Sequence, residues 1–243
     1  MVSKSKITVL EDSEKSKTNG IGTLQETSLH ASLKQWYSRP GDGLEVLVDG
    51  FVIDIVRGDL LIEIQTRNFS AIKRKLLSLL NKYPIRLVYP LSSEKWIVSE
   101  INISENVIRR RKSPRHADLA DVFWELVRLP ELVAHDNFSL EVLLIREEEV
   151  RRNDGRGSWR RKGWSVYDRK LLEVIDRHVF QSASDFSALL PADLPPAFTS
   201  ADLAHALSKP RYLAQKMAYC LRKMDAIYIT GKEGNSILYT RGQ

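Results

Sequence analysis

At 243 residues, with 43% hydrophobic and 28% charged residues, the chain has room for one or two packed domains, and no run approaches the roughly 18 to 20 apolar residues of a membrane span. One cysteine, Cys220, excludes an internal disulfide and a cysteine-based zinc site. The net charge of +6 favours a polyanionic partner, and the window Arg151 to Lys170 alone, with eight basic and two acidic residues, equals that surplus.

Residues 1–22 are rich in Lys, Ser, Glu and Thr and read as a disordered arm. They lack the apolar centre of a signal peptide, so we expect a cytoplasmic chain with no membrane partner. A helix is predicted from Thr23, with Leu29, Leu33 and Trp36 at helical spacing and an exit at Asp42-Gly43. Thr23-x-x-Glu26 has the form of a capping box. His30 on this helix reads as a surface or satisfied residue. A first strand is predicted over Leu44 to Val48. Two apolar runs follow, Phe51 to Val56 and Leu60 to Gln65, around Arg57-Gly58-Asp59, which is a hairpin signal. Three polar groups interrupt them: Asp54, Glu63 and Gln65. Carboxylates in such greasy strands must be paired, protonated or bound to a metal. Glu63 and Gln65, two apart, share a face, and Asp54 lies on the neighbouring strand. Two carboxylates and an amide oxygen are hard ligands of the kind Mg²⁺ takes.

A second helix is predicted from Asn68 or Ser70 to about Lys82, with Phe69, Ile72, Leu76, Leu79 and Leu80 inward. Lys73, Arg74 and Lys75 give it a basic, solvated face. Pro84 ends it, and Ile85 to Tyr89 is a strand. Lys95 to Ile103 gives another strand or two, Arg109 to Lys112 with Arg115 and His116 a basic loop, Asp118 to Val127 a helix and Phe138 to Arg146 a strand. In the stretch 153–164, Trp159 and Trp164 interleave with Arg156, Arg160, Arg161 and Lys162 among three glycines. Aromatics that stack on bases beside cations that neutralise phosphates suit a nucleic-acid partner, and the competing reading is a structural loop with packed tryptophans. A helix is predicted over Ser165 to Phe180, from Leu171, Leu172, Val174, Ile175 and Val179. Thr199 or Ser200 caps a helix over Ala201 to Leu207, a second helix runs from Arg211 to Met224, and a hairpin joins Ile227–Thr230 to Ser236–Thr240. Cys220 sits on the apolar side of the second helix and reads as a small buried residue.

The pattern Asp54-(x)8-Glu63-x-Gln65, in the order helix, three strands, helix, strand, resembles the PD-(D/E)xK nuclease superfamily, closest to its restriction-endonuclease-like and resolvase-like members with Gln in the usual Lys position. The resemblance implies an α/β (α+β) fold, an αβββαβ core with a mixed sheet over residues 23–152, and a metal-dependent DNA endonuclease acting in anti-phage defence, repair or recombination. Asp54 and Glu63 would hold Mg²⁺ or Mn²⁺, and Gln65 would orient water or phosphate. Glu26 would be a further ligand, and one of Lys73, Arg74 and Lys75 a stand-in for the strand lysine. Residues 165–243, joined through the basic loop 153–164, resemble a winged-helix domain. In that family the second helix of the helix-turn-helix enters the major groove. Here it would offer Lys209, Arg211, Tyr212, Gln215 and Lys216, with Lys232 on the wing. The expected partner is double- or single-stranded DNA, with a homodimer if both strands are cut. The rivals are a non-catalytic DNA-binding protein built on the same scaffold, and a subunit of a larger defence complex.

Overall fold

The computed structural model of the chain describes residues 28–102, 107–157, 159 and 162–242. The expected arm over 1–22, the helix start at Thr23, and Glu26, Arg160 and Arg161 lie outside the described residues. Helix α1 (Ser28–Tyr37) leads into strands β1 (Gly43–Val48), β2 (Phe51–Arg57) and β3 (Leu60–Ile64), then helix α2 (Lys73–Leu79) and strand β4 (Ile85–Asn102). β1, β2 and β3 are antiparallel neighbours. β3 and β4 run parallel, from Leu61↔Ile85 to Ile64↔Val88, with α2 as the crossover. A parallel pair requires such a crossover; the α-helix covers only Lys73–Leu79, after a 3-10 turn at Phe69–Ile72, and ends short of the expected Lys82, before Pro84 leads into β4.

The rest of the chain departs from expectation in informative ways. β4 is one strand of 18 residues, not two. The basic stretch after it is a strand, β5 (Val107–Lys112), antiparallel to the upper half of β4. The expected helix over 118–127 is a 3-10 turn followed by one α-helical turn, α3 (Phe123–Leu126). β6 (Phe138–Asn153) pairs parallel with β4 along nearly its whole length.

Residues 165–180 are not a helix but strand β7 (Trp164–Phe180), antiparallel to β6. The reason is electrostatic. β6 carries Glu141 and Glu147, both fully buried, and β7 delivers their partners Arg177 (2.7 Å) and Arg169 (2.6 Å). A helix would leave Glu141 with Arg86 and Glu147 with Lys95 as their only cations, short of the pairing that two buried carboxylates need. The sheet order is β1-β2-β3-β4-β6-β7, with β5 beside β4 beyond the end of β3. Residues 164–180 therefore belong to this mixed sheet, and the C-terminal unit begins after Phe180.

That unit holds α4 (Ala183–Ser187), β8 (Ala197–Phe198), α5 (Ser200–Ala206), α6 (Arg211–Lys223), β9 (Ile227–Glu233) and β10 (Ser236–Arg241). Its small sheet has the order β8-β10-β9. Thr199 caps α5 in a capping box with Asp202. Cys220 is buried, as expected. Among the described residues no helix is long and apolar enough to cross a membrane.

Two cores flank the large sheet. On one face Leu29, Leu33 and Tyr37 of α1 cover Ile55, Ile62, Ile64, Val88, Leu143 and Ile145. Tyr37, not the half-exposed Trp36, completes the apolar side of α1. On the other face α2, α3 and the C-terminal helices share one continuous core with the strands. Phe186 of α4 is central to it, stacked on Phe180 of β7 at 4.6 Å and edge-on to Phe123 at 6.2 Å. Phe186→Ala should cost about 3 to 5 kcal/mol. Because the core is shared, urea unfolding followed by fluorescence and by far-UV circular dichroism should keep a single, coincident transition at lower urea. Loss of the C-terminal unit alone would contradict this.

Candidate functional site

The site begins with an interruption in a hydrogen-bond ladder. β2 and β3 pair from Arg57↔Leu60 to Ile55↔Ile62. The turn end is fixed: Arg57 donates to both Asp42 carboxylate oxygens (2.9 and 2.7 Å) and to the Tyr37 carbonyl (2.9 Å), and Gly58 takes the positive φ of 57°. At the other end the main-chain ladder stops. The Ile64 N–H donates to Asp54 Oδ2 at 2.8 Å, so a side chain takes the place of a strand carbonyl. The strands part there, with Asp54 and Glu63 at the opening.

Each face of the sheet contributes a basic side chain. From α1, His30 Nε2 lies 3.3 Å from Asp54 Oδ2. From α2, Lys75 Nζ lies 2.5 Å from Glu63 Oε1, an ionic contact without the alignment of a hydrogen bond, and it also donates to the Val52 carbonyl. Burial pushes the Glu63 carboxyl up to about 7; the Asp54 charge adds to the rise and Lys75 opposes it. For Asp54 burial also favours the neutral form. The His30 contact, the Ile64 N–H and the Lys75 charge outweigh it and hold the carboxyl below its ordinary value. Two adjacent carboxyls are thus driven apart in proton affinity, a pattern that clusters at functional sites.

Gln65 takes a local role. Its amide nitrogen donates to the carbonyls of Arg67 and Asn68 (3.3 Å to the latter), closing a turn in which Asn68 has a φ of 56°. Of the three cations considered for a stand-in, Lys73 pairs with Glu131, Arg74 is exposed, and Lys75 reaches Glu63. His30 is no bystander, and its spacing on α1 alone gave no sign of that. Among the described residues, no three His, Cys, Asp or Glu side chains form a ready-made metal cage. Carboxylate oxygens such as those of Asp54 and Glu63 are the ligand type a hard divalent cation takes, with water or phosphate oxygens completing its shell.

The expected nucleic-acid contacts divide into exposed and engaged groups. Arg156 and Lys162 are exposed, and Trp159 is 86% exposed. Trp164 opens β7, partly buried. On α6, Arg211 and Gln215 are exposed, with Arg211 within 3.4 Å of the Ser236 hydroxyl, and Lys232 is exposed on the β9–β10 hairpin. Lys209 is not available as expected. Its ammonium sits 2.9 Å from Asp118 and 2.6 Å from Asp121, pinning the C-terminal unit to the body. Tyr212 is exposed but leans on Trp124 (5.7 Å), and Lys216 lies over both rings.

The family model described as Domain of unknown function (DUF8091) matches residues 27–181, ending where β7 ends. An uncharacterized protein of Treponema pallidum (strain Nichols) is 33% identical over 185 residues, 76% of this chain and 73% of that protein. No solved structure matches the chain.

The raised Glu63 value sets a pH dependence. A carboxyl that binds its proton more tightly when folded contributes stability that is fully present below its unfolded value near 4.5 and lost as pH rises through about 7. Glu63→Gln removes that loss. The stability of the variant relative to the parent should therefore climb between pH 5 and 8, by at most about 3 kcal/mol. Chemical denaturation at each pH measures the difference, and a pH-independent difference would show that Glu63 is ionised throughout.

Proposed function

The chain belongs to the DUF8091 family, and we propose that it is a metal-dependent nuclease of the PD-(D/E)xK type that hydrolyses DNA phosphodiester bonds in the cytoplasm. The observation that carries this reading is the Asp54–Glu63 pair at the opened end of the β2–β3 hairpin, with the Lys75 ammonium against Glu63. The αβββαβ order, the parallel β3–β4 pair and the hairpin's place in a mixed sheet support it. So does the helix-turn-helix followed by a hairpin, in a small sheet of order β8-β10-β9, which is what a winged-helix unit would need.

Asp54 and Glu63 would hold Mg²⁺ or Mn²⁺, which when bound lowers the pKa of a water and neutralises charge on the phosphate. The remaining roles fall to the chain itself. Asp54 is kept ionised by His30 and the Ile64 N–H, ready to bind a cation. Lys75, fixed on α2 beside Glu63, places a positive charge where a phosphate would enter, and electrostatic preorganisation of this kind is usually a large part of catalysis. Gln65 cannot carry a charge or a proton. Its amide holds the 65–68 turn at the mouth of the site.

A second reading has one specific observation behind it. Each carboxyl already has a partner, Asp54 with His30 and Glu63 with Lys75, as buried structural acids would. Under that reading the chain binds DNA without cutting it. Incubation with linear, nicked, supercoiled and single-stranded DNA in Mg²⁺ or Mn²⁺ separates the two. For the nuclease, cutting should vanish in Asp54→Ala and Glu63→Ala. Lys75→Ala should lose on the order of 10² to 10³ in rate, as when one preorganised donor is removed. Gln65→Ala should stay within a few-fold of the parent. Tight binding without cutting under all conditions would establish the second reading instead.

A further inference from the structure

The two tryptophans of the stretch 153–164 have different surroundings. Trp164 is partly buried and opens β7 opposite Asn153 of β6. Trp159 is 86% exposed, more than any other large apolar side chain among the described residues. A single exposed apolar side chain is ordinary. The loop that carries this one is not. Asp154 accepts from the Arg156 N–H at 3.0 Å and from the Ser165 hydroxyl at 2.9 Å, which ties the two sides of the loop together. The same two contacts hold the Asp154 carboxyl below its ordinary value, so it stays ionised in that role. The Gly157 N–H donates to the Gly163 carbonyl at 3.2 Å, and the Lys162 N–H to the Trp159 carbonyl at 3.0 Å. Gly157 lies so close to the Trp164 backbone that any side chain there would collide with it. Lys162 takes a φ of 49°, a conformation that strains a residue with a Cβ and persists only where the surroundings enforce it. The chain on both sides of Trp159 is thus fixed, and the ring is left in solvent.

Arg156 and Lys162 flank it. Both are exposed and make no ion pair among the described residues. Asp154, the nearest acid in sequence, is committed within the loop. The display is one aromatic face between two uncommitted cations, which calls for an anionic partner. An anionic bilayer takes a broad apolar face, and no second exposed apolar side chain is described within 153–164. In a duplex the base faces are covered by their neighbours and must be unstacked before a ring can reach them. In a single strand every base has an open face, with phosphates beside it for the cations. The loop is also far from the candidate active site. Glu63, Leu87 and Leu140 share one register level, and Asn153 lies thirteen residues past Leu140 along β6. That is about 43 Å at the rise of an extended strand.

We propose that Trp159 is the stacking platform of a site for single-stranded nucleic acid at the tip of the β6–β7 hairpin, with Arg156 and Lys162 on the flanking phosphates. The site goes beyond the nuclease reading and does not rest on it, since its residues are remote from Asp54 and Glu63.

The test uses the full-length protein in EDTA, so that no metal-dependent cutting occurs. Fluorescence anisotropy follows labelled 15-nucleotide oligothymidylate and oligouridylate strands and a 15-base-pair duplex, and sedimentation follows vesicles of phosphatidylcholine and phosphatidylserine. The single strands should bind at least tenfold more tightly than the duplex. Trp159→Ala and Trp159→Leu should each weaken single-strand binding about tenfold, the order expected for one lost aromatic–base stack, and Trp159→Phe should stay within a few-fold of the parent. Arg156→Gln with Lys162→Asn should flatten the slope of log affinity against log salt by about 1.4, roughly 0.7 per lost phosphate contact on a single strand. Asn is chosen because it tolerates the positive φ at position 162. Gly157→Ala keeps the ring and the cations but disturbs the loop that fixes them, and should also weaken single-strand binding. Circular dichroism checks that each variant folds. A tenfold preference for thymidylate or uridylate names DNA or RNA as the source of the strand, and either supports the site. Parental single-strand binding by Trp159→Ala overturns the proposal. So does a duplex bound as tightly as the single strand, or vesicle binding that Trp159→Ala abolishes and Trp159→Leu retains, which would assign the ring to a lipid surface. Trp159-dependent binding by a parent that never cuts DNA in Mg²⁺ or Mn²⁺ would sink the nuclease reading and leave this site. Cutting by the parent, with single-strand binding unchanged in Trp159→Ala, would do the reverse.

Discussion

The hydrogen bond from the Ile64 N–H to Asp54 Oδ2 stands where a main-chain bond between β2 and β3 would otherwise continue. A buried N–H must find an acceptor, and here the acceptor is an ionisable side chain, so the strands can separate without orphaning the amide. The opening admits groups from both faces of the sheet. His30 reaches Asp54 from α1, and Lys75 reaches Glu63 from α2.

His30 is in place only if α1 is held. The helix is fixed at both ends by the far side of the sheet. At its start the Ser28 hydroxyl and N–H donate to Asp168 of β7 at 2.6 and 3.2 Å. At its end the Tyr37 hydroxyl donates to Glu141 of β6 at 2.6 Å, and Glu141 is balanced by Arg86 and Arg177. Burial and the Glu141 contact raise the Tyr37 phenol above its ordinary value, so it remains a donor. A fully buried carboxyl satisfied in this way is costly to break, since removal of one partner leaves a charge in the interior. The geometry at Asp54 thus depends on strands that do not touch it.

The β2–β3 hairpin and the αβββαβ order were legible in the sequence because both are local: a glycine turn between two nearly continuous apolar runs, then a helical spacing bounded by a proline. Asp54 and Glu63 stood out because acids are rare in such runs. Lys75 was harder. It sits among three consecutive basic residues, and only the pitch of α2 against β3 decides which of them turns inward. β7 was misread because Leu171, Val174 and Ile175 also fit a helical spacing. Its true constraint lies in β6, more than twenty residues away in sequence, where Glu141 and Glu147 need arginines. Lys209 was misplaced for the same reason, since its partners Asp118 and Asp121 lie some ninety residues earlier. Pairings of this kind leave no periodicity to read.

Those same distant pairings decide how the parts of the molecule act together. Lys209 between two aspartates, Tyr212 and Lys216 against Trp124, and Phe186 on Phe180 fix the C-terminal unit to the sheet at three places. A unit held by a shared core does not swing on a linker, so its exposed residues keep one angle to the sheet. The start of α6 is partly used up in this attachment. Arg211 and Gln215 on α6 and Lys232 on the β9–β10 hairpin remain exposed. On the nucleic-acid reading, the C-terminal unit would therefore offer Arg211 and Lys232 rather than Lys209, which its attachment to Asp118 and Asp121 uses up.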